Sequence, residues 1–320
     1  MERRDFLVGA AAGAAAVAGF GRTGWAQGRG GPANVSPEKL ARVSIMTTDF
    51  DSILRLPGRQ ASPERTLELF DLPQMYLDTY GVHNIEFQHT HLVLAEKDPA
   101  FVKDMKARVD QAKSLITQIN LEFGDENISN PDATFRQRAI DHTKQWIDIA
   151  VALGCPRVML NQGMLTQESK ANAIATWKVM NDYAKTKNVK VSAETRGGGG
   201  GRSRAGVPGA PATPVVPTAP APPAPPAWLL LKDVIEGVGA YSNVDIGNVG
   251  APTQEALHDA IRGLLPTSSG NMHIKSNPNW DIGTAVRYAN GTLGYKGLYS
   301  IEQSTHQAVR VIYNTILANI

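Results

Sequence analysis

Residues 135–194 read FRQRAIDHTKQWIDIAVALGCPRVMLNQGMLTQESKANAIATWKVMNDYAKTKNVKVSAE. Two periodicities take turns in this stretch, and their alternation decides the architecture. Phe135–Leu153 repeats apolar side chains at three-to-four spacing, the stripe of an amphipathic helix. Arg157–Gln162 follows as a short strand-like run. Ala171–Lys185 returns to the helical spacing, and Lys190–Glu194 to a strand.

The same alternation continues in both directions. Upstream, Val43–Thr48, Asn84–His89 and Ile116–Phe123 read as strands; downstream, Asn243–Gly247, Met272–Ser276 and Leu298–Gln303 do. Thr253 caps a helix over Glu255–Leu264, Thr305–Ile320 supplies the last helix, and the first helix is interrupted by Pro73. Strand and helix taken in turn eight times predict a single parallel (β/α)₈ TIM barrel over residues 41–320 rather than an open sheet.

Two segments stand outside that pattern. Arg3-Arg4-Asp5-Phe6-Leu7 precedes an Ala/Gly-rich apolar run to Phe20, and Gly24-Trp25-Ala26 offers small residues at a cleavage site. Residues 1–26 resemble a bacterial twin-arginine export signal, which implies a periplasmic or otherwise exported protein. Residues 27–40 form a polar lead-in. No later stretch approaches the roughly 20 apolar residues of a membrane span, so no stable span is expected once the signal is removed. The second segment, residues 196–227, opens with five glycines and continues rich in Pro and Ala. It cannot build a packed core and reads as a low-complexity insert in the loop after the fifth strand. Without the leader and the insert, roughly 260 residues remain, the usual size of one such barrel.

The formal charge is +2, and +1 without the leader's three arginines and two acids. A near-neutral chain without a basic run has no electrostatic footprint for nucleic acid. The single cysteine, Cys155, excludes an internal disulfide and reads as a buried structural thiol.

Chemistry gathers at the strand ends. Glu194 closes Val-Ser-Ala-Glu, Asp245 closes Ser-Asn-Val-Asp, His273 sits in Asn-Met-His-Ile-Lys, and Glu302 closes Tyr-Ser-Ile-Glu. Taken singly, each carboxylate is more often solvated or salt-bridged, and a lone histidine is more often part of the core. As a set they end four consecutive strands, five to eight, which a barrel brings to one mouth. Three carboxylates and one imidazole form a ligand set for one divalent ion: Mn²⁺, Co²⁺, Mg²⁺ or Zn²⁺.

The order Glu, Asp, His, Glu on these strands resembles the xylose-isomerase-like barrels of sugar isomerases and epimerases, including ketose 3-epimerases. Asn84-Ile-Glu-Phe, Ala152-Leu-Gly-Cys-Pro-Arg-Val, Val244-Asp-Ile-Gly-Asn and His273-Ile-Lys carry the likeness, which covers most of residues 40–305 apart from the insert. The resemblance implies that Glu194, Asp245, His273 and Glu302 hold the metal and that Glu194 and Glu302 double as an acid/base pair on a small carbohydrate. The implied chemistry is isomerisation or epimerisation by proton transfer beside a carbonyl, through a metal-stabilised enediolate. The alternatives are a lyase that cleaves 3-keto-glycosides by β-elimination, and a non-catalytic carbohydrate-binding barrel. The pattern is compatible with a homo-oligomer.

Further polar residues at strand ends suit contacts to sugar hydroxyls: His89 and His91 after strand two, Asn161 and Gln162 at strand four, Asn248 and Lys275 beyond Asp245 and His273. Each is equally suited to structural hydrogen bonding. Glu86, in mid-strand, reads as a buried, paired carboxylate. Asn248 departs from the ketose epimerases, which commonly carry histidine there. The DNA-repair endonucleases of this barrel also have a histidine at that position, with extra ligands near strand seven that this chain lacks.

Overall fold

The computed structural model describes residues 35–195, 225–303 and 305–320. Residues 1–26, read above as an export signal, most of the lead-in and nearly all of the 196–227 insert lie outside them. Eight parallel strands close into a barrel: β1 (Val43–Met46), β2 (Asn84–Gln88), β3 (Leu115–Asn120), β4 (Arg157–Leu160), β5 (Lys190–Glu194), β6 (Tyr241–Asp245), β7 (Ser268–Ile274) and β8 (Leu298–Ile301). The order around the barrel follows the sequence, and β8 pairs with β1 to close it. Each strand is followed by a helix: α1 (Leu72–Tyr80), α2 (Pro99–Gln111), α3 (Ala133–Leu153), α4 (Lys170–Thr186), α5 (Ala227–Val238), α6 (Gln254–Leu264), α7 (Ile282–Arg287) and α8 (His306–Asn319). The protein is a (β/α)₈ TIM barrel.

Local chemistry explains the helix boundaries. Pro73 does not interrupt α1 but starts it, where its missing N–H is not needed, and Gly81 ends it in the left-handed region at φ 68°. Asp132 caps α3 by accepting from Thr134 N, Thr253 caps α6 by accepting from Ala256 N, and Gly154 closes α3 at φ 72°. The helices bury one face against the barrel. Trp146 on α3 and Trp177 on α4 are wholly buried there, and truncating either to alanine is expected to cost about 3–5 kcal/mol.

The barrel interior is unusually polar for this fold, whose layers are normally Val, Ile and Leu. Ser44, Glu86, Gln118, Asn120, Asn243 and Asn271 are all buried. Two register irregularities place some of them. Between the pairs Ile85↔Ile116 and Glu86↔Gln118, β3 carries one extra residue, Thr117, which sets Gln118 opposite Glu86. Between Ser242↔Ser268 and Val244↔Met272, β7 spends two residues more than β6, and the next pair is Asp245↔His273. Gly270 lies inside this second bulge at φ 92°. Below it, the guanidinium of Arg157 and the ammonium of Lys190 donate to the Ser269 carbonyl at 2.9 and 3.1 Å. Among the described residues no helix is long and apolar enough to cross a membrane.

Candidate metal centre

The carboxyl ends of β5 to β8 carry the four residues expected there. Glu194 is the last residue of β5 and Asp245 the last of β6; His273 is the penultimate residue of β7, and Glu302 follows β8 with its N–H bonded to the Ile274 carbonyl at 3.1 Å. The barrel brings one ligand atom from each to within 4.8 Å of the others. Nδ1 of His273 stands 2.7 Å from Glu302 Oε2, 3.5 Å from Glu194 Oε2 and 3.7 Å from Asp245 Oδ2. Yet Nδ1 of His273, Oδ2 of Asp245 and Oε2 of Glu302 are buried atoms that complete no properly directed hydrogen bond. Buried polar atoms left this way are rare and costly, and four donors converging on one point are what an ion would satisfy.

The surroundings fix each donor. The Gly247 and Asn248 amides donate to Asp245 Oδ1 at 2.8 and 2.9 Å, leaving Oδ2 to face the centre. Thr195 Oγ1 ties the Asp245 backbone to the end of β5, and Gln162 Nε2 donates to the Glu194 carbonyl at 2.7 Å. His273 is oriented from beneath. Its Nε2 lies 2.5 Å from Glu86 Oε1, and Glu86 also accepts from Gln118, Asn120 and Asn271.

Charge in the site is one-sided. Glu86, Glu194, Asp245 and Glu302 face one imidazole and one ammonium, that of Lys275, which sits 2.9 Å from Asp245 Oδ2 and 2.8 Å from Glu302 Oε1. Burial alone favours neutral Asp245, but Lys275 and His273 outweigh it and hold the carboxyl well below the usual range. Burial likewise opposes a charged His273, yet Glu86 and Glu302 push its affinity for a proton well above the ordinary imidazole. Glu86 is drawn down to about 2, with burial overcome by the His273 charge and its hydrogen bonds. A centre that holds on to protons and an ammonium so strongly is one that lacks positive charge. The donor set and this imbalance fit one divalent ion, with oxygen and nitrogen donors suited to Mg²⁺, Mn²⁺, Co²⁺ or Zn²⁺.

Of the other expected residues, the structure brings Lys275 and Asn248 to the centre and leaves four with bonds elsewhere. His91 has both ring nitrogens engaged, with Thr47 Oγ1 at 2.8 Å and Asp51 Oδ1 at 3.0 Å. His89 is buried edge-on against Phe123 and Trp146, its Nδ1 near the Asn120 carbonyl and the Glu122 amide. Asn161 turns back to accept from Gly163 N, and Gln162 braces β5 as described. One residue at the centre escapes a sequence reading. Asp49, after β1, is buried; one carboxylate oxygen accepts from Gln303 N and the other has no partner. Burial, with Glu302 nearby, raises it well above the carboxylate range against the pull of the Gln303 amide. The only signal for it was an acidic residue just past a strand end.

Residues 76–202 match the family model of the xylose isomerase-like TIM barrel. Solved structures of similar shape extend the likeness over the whole barrel. A xylose isomerase domain protein from Planctomyces limnophilus is 14% identical, covering 87% of this chain and 98% of its own, with a TM-score of 0.59. D-psicose 3-epimerase from Clostridium cellulolyticum H10 is 10% identical over 87% of this chain and 96% of its own, at 0.58. The probable 3-DHS dehydratase AsbF from Bacillus anthracis is 14% identical over 86% and 97%, at 0.57. At these identities the likeness is one of fold. No curated protein matches the sequence.

Proposed function

We propose that this protein is a divalent-metal-dependent sugar isomerase or epimerase that moves a proton beside a carbonyl. The observation that carries the reading is the convergence of Glu194, Asp245, His273 and Glu302, one ligand atom from each within 4.8 Å of the others, at the mouth where barrels of this kind hold their active sites. Glu194, Asp245, His273 and Glu302 would hold the ion, which supplies Lewis acidity toward a substrate carbonyl oxygen. The chain's own groups do the rest. Glu194 and Glu302 come from β5 and β8, three strand positions apart around the barrel, and so approach a bound sugar from different sides. One carboxylate takes the proton from carbon and the other returns one, which inverts a carbinol centre; return to the neighbouring carbon isomerises instead. Lys275 and Asn248 are proposed as contacts to substrate oxygens. His89, His91, Asn161 and Gln162 are assigned to shaping the mouth, since their hydrogen bonds go to its strand ends and loops.

Solved structures of the same fold include a D-psicose 3-epimerase and a probable dehydratase, which supports both this reading and an alternative by elimination. The second reading, β-elimination from a 3-keto-glycoside, is favoured by the Lys275 ammonium beside Glu302, where it could protonate a departing oxygen. We further propose that residues 1–26 direct twin-arginine export and are removed, which mass spectrometry of the secreted chain's N-terminus checks. The catalytic test is elemental analysis followed by incubation with keto-sugars in deuterated water. About one equivalent of metal and C–H exchange that Glu302→Gln abolishes support the reading. Stereoisomer or aldose products indicate the isomerase, and a released aglycone the lyase. Metal and sugar binding without exchange would leave the non-catalytic barrel.

A further inference from the structure

We propose that Glu86 is the positioning residue of the metal centre: from the far side of the barrel it holds the Nε2 proton of His273 and so turns the Nδ1 lone pair toward Glu194, Asp245 and Glu302. The inference rests on the metal-dependent reading above. It starts from the two nitrogens of imidazole, of which the neutral ring protonates one and offers the other as a ligand. The nitrogen that faces the three carboxylates of the centre is Nδ1, and the one 2.5 Å from Glu86 Oε1 is Nε2. A carboxylate can only accept, so the directed hydrogen bond to Glu86 assigns a proton to Nε2, whereas the 2.7 Å approach of Nδ1 to Glu302 Oε2 completes no directed hydrogen bond.

Glu86 is in turn held so that it cannot turn away. Its Oε1 also accepts from Gln118 Nε2 at 2.9 Å and Asn120 Nδ2 at 2.6 Å, and its Oε2 from Asn271 Nδ2 at 2.9 Å. These donors come from β3 and β7, while Glu86 belongs to β2. β2 and β7 are three strand positions apart, so the contact spans the barrel interior and ties the ligand histidine to strands that carry none of the four ligands. The extra residue of β3 at Thr117 is what puts Gln118 opposite Glu86, so a register feature serves the same arrangement. In Glu86→Gln only one acceptor oxygen remains, so the NH₂ must face either Gln118, Asn120 and His273 or Asn271, and the donors on that side lose their bond. A carboxylate behind a ligand histidine fixes ring orientation and strengthens the ligand, and its loss typically weakens metal binding about 10–100-fold.

Two measurements on the full-length protein, with Zn²⁺ as the probe, test the assignment. Nitrogen-resolved NMR of the Zn²⁺-loaded wild type should show His273 bound through Nδ1 and protonated at Nε2; coordination through Nε2 overturns the proposal. Glu86→Gln keeps the shape of the side chain, and its Zn²⁺ affinity in competition with a chromophoric chelator should fall about 10–100-fold. After chelation the variant should melt close to the chelated wild type, so that the loss is specific to the ion. An unchanged affinity, or a stability loss equal with and without Zn²⁺, would mark Glu86 as a structural group only. If Glu86→Gln does not fold, the wild-type spectrum decides. A wild type that takes up no Zn²⁺ overturns the metal reading itself, an outcome distinct from a wild type and variant that bind alike.

Discussion

Lys275 shows how one side chain can depend on a neighbour's lack of one. A Cβ at Gly247 would lie 2.5 Å from Lys275 Cβ, 2.7 Å from Cδ and 2.9 Å from Cγ, so the lysine stem lies across the bare glycine to reach Asp245 and Glu302. Its ammonium competes with an ion for the same oxygens. Lys275→Met is therefore expected to tighten divalent-metal affinity by about tenfold while lowering turnover, because close charges at intermediate dielectric interact by a few kcal/mol. Metal titration beside steady-state rates checks both directions, and weaker binding in the variant would contradict the account. His89 makes a pH-dependent contribution of its own. Burial lowers it from 6.5 to about 4, so the folded state carries fewer protons there than the unfolded state between those values. Its contribution is complete above pH 6.5 and is lost as the pH falls toward 4, by up to roughly 3 kcal/mol. Urea midpoints at pH 7 and pH 4.5 should fall further apart for the wild type than for His89→Gln. Cys155 is simpler: burial pushes its thiol up to about 12, and Sγ donates to the Arg157 carbonyl, as befits a structural group.

At the level of elements, the β7 bulge matters most. It places His273 opposite Asp245, and Gly270 enables it by adopting φ 92°, a conformation that side chains rarely tolerate. A Cβ at that position would also meet Arg157 Nη2 at 3.2 Å, and that guanidinium holds the bulge through the Ser269 carbonyl. Gly270→Ala is expected to destabilise the protein by at least about 1 kcal/mol and to weaken metal binding, since the strain falls three residues before a ligand. Equilibrium unfolding and metal titration of the same variant test the coupling; a stable variant with normal affinity would show that the bulge does not set the ligand. The strand ends differ from their sequence reading for a related reason. β6 runs Tyr241–Asp245 and β7 starts at Ser268, earlier than the apolar runs suggest, because polar residues such as Asn243 and Asn271 point into this interior. In a polar-filled barrel, hydrophobicity marks the strands incompletely.

For the whole molecule, the centre couples ion binding to folding. Four carboxylates around one histidine and one lysine repel each other in the ion-free protein, and an ion that binds only the folded state adds stability by mass action. At a hundredfold excess over Kd the gain is about 2.7 kcal/mol, a rise of roughly 5–10 °C in melting temperature for a domain of this size. Calorimetry with Zn²⁺ and with chelator measures it; identical melting curves would deny that the ion binds the native state. Sequence alone sufficed for the alternation of helix and strand, the closed eight-fold barrel and the gathering of Glu194, Asp245, His273 and Glu302, because periodicity and strand ends are local properties that the barrel converts into one mouth. It also pointed to Glu86 as buried and paired. Only the tertiary structure revealed the partner, His273, 187 residues away, and with it the roles of Gln118, Asn120, Asn271, Gly247 and Asp49. Those roles depend on register, on two bulges and on contacts across the barrel interior. No local pattern encodes such contacts, since their cost and gain are settled only when all eight strands are in place.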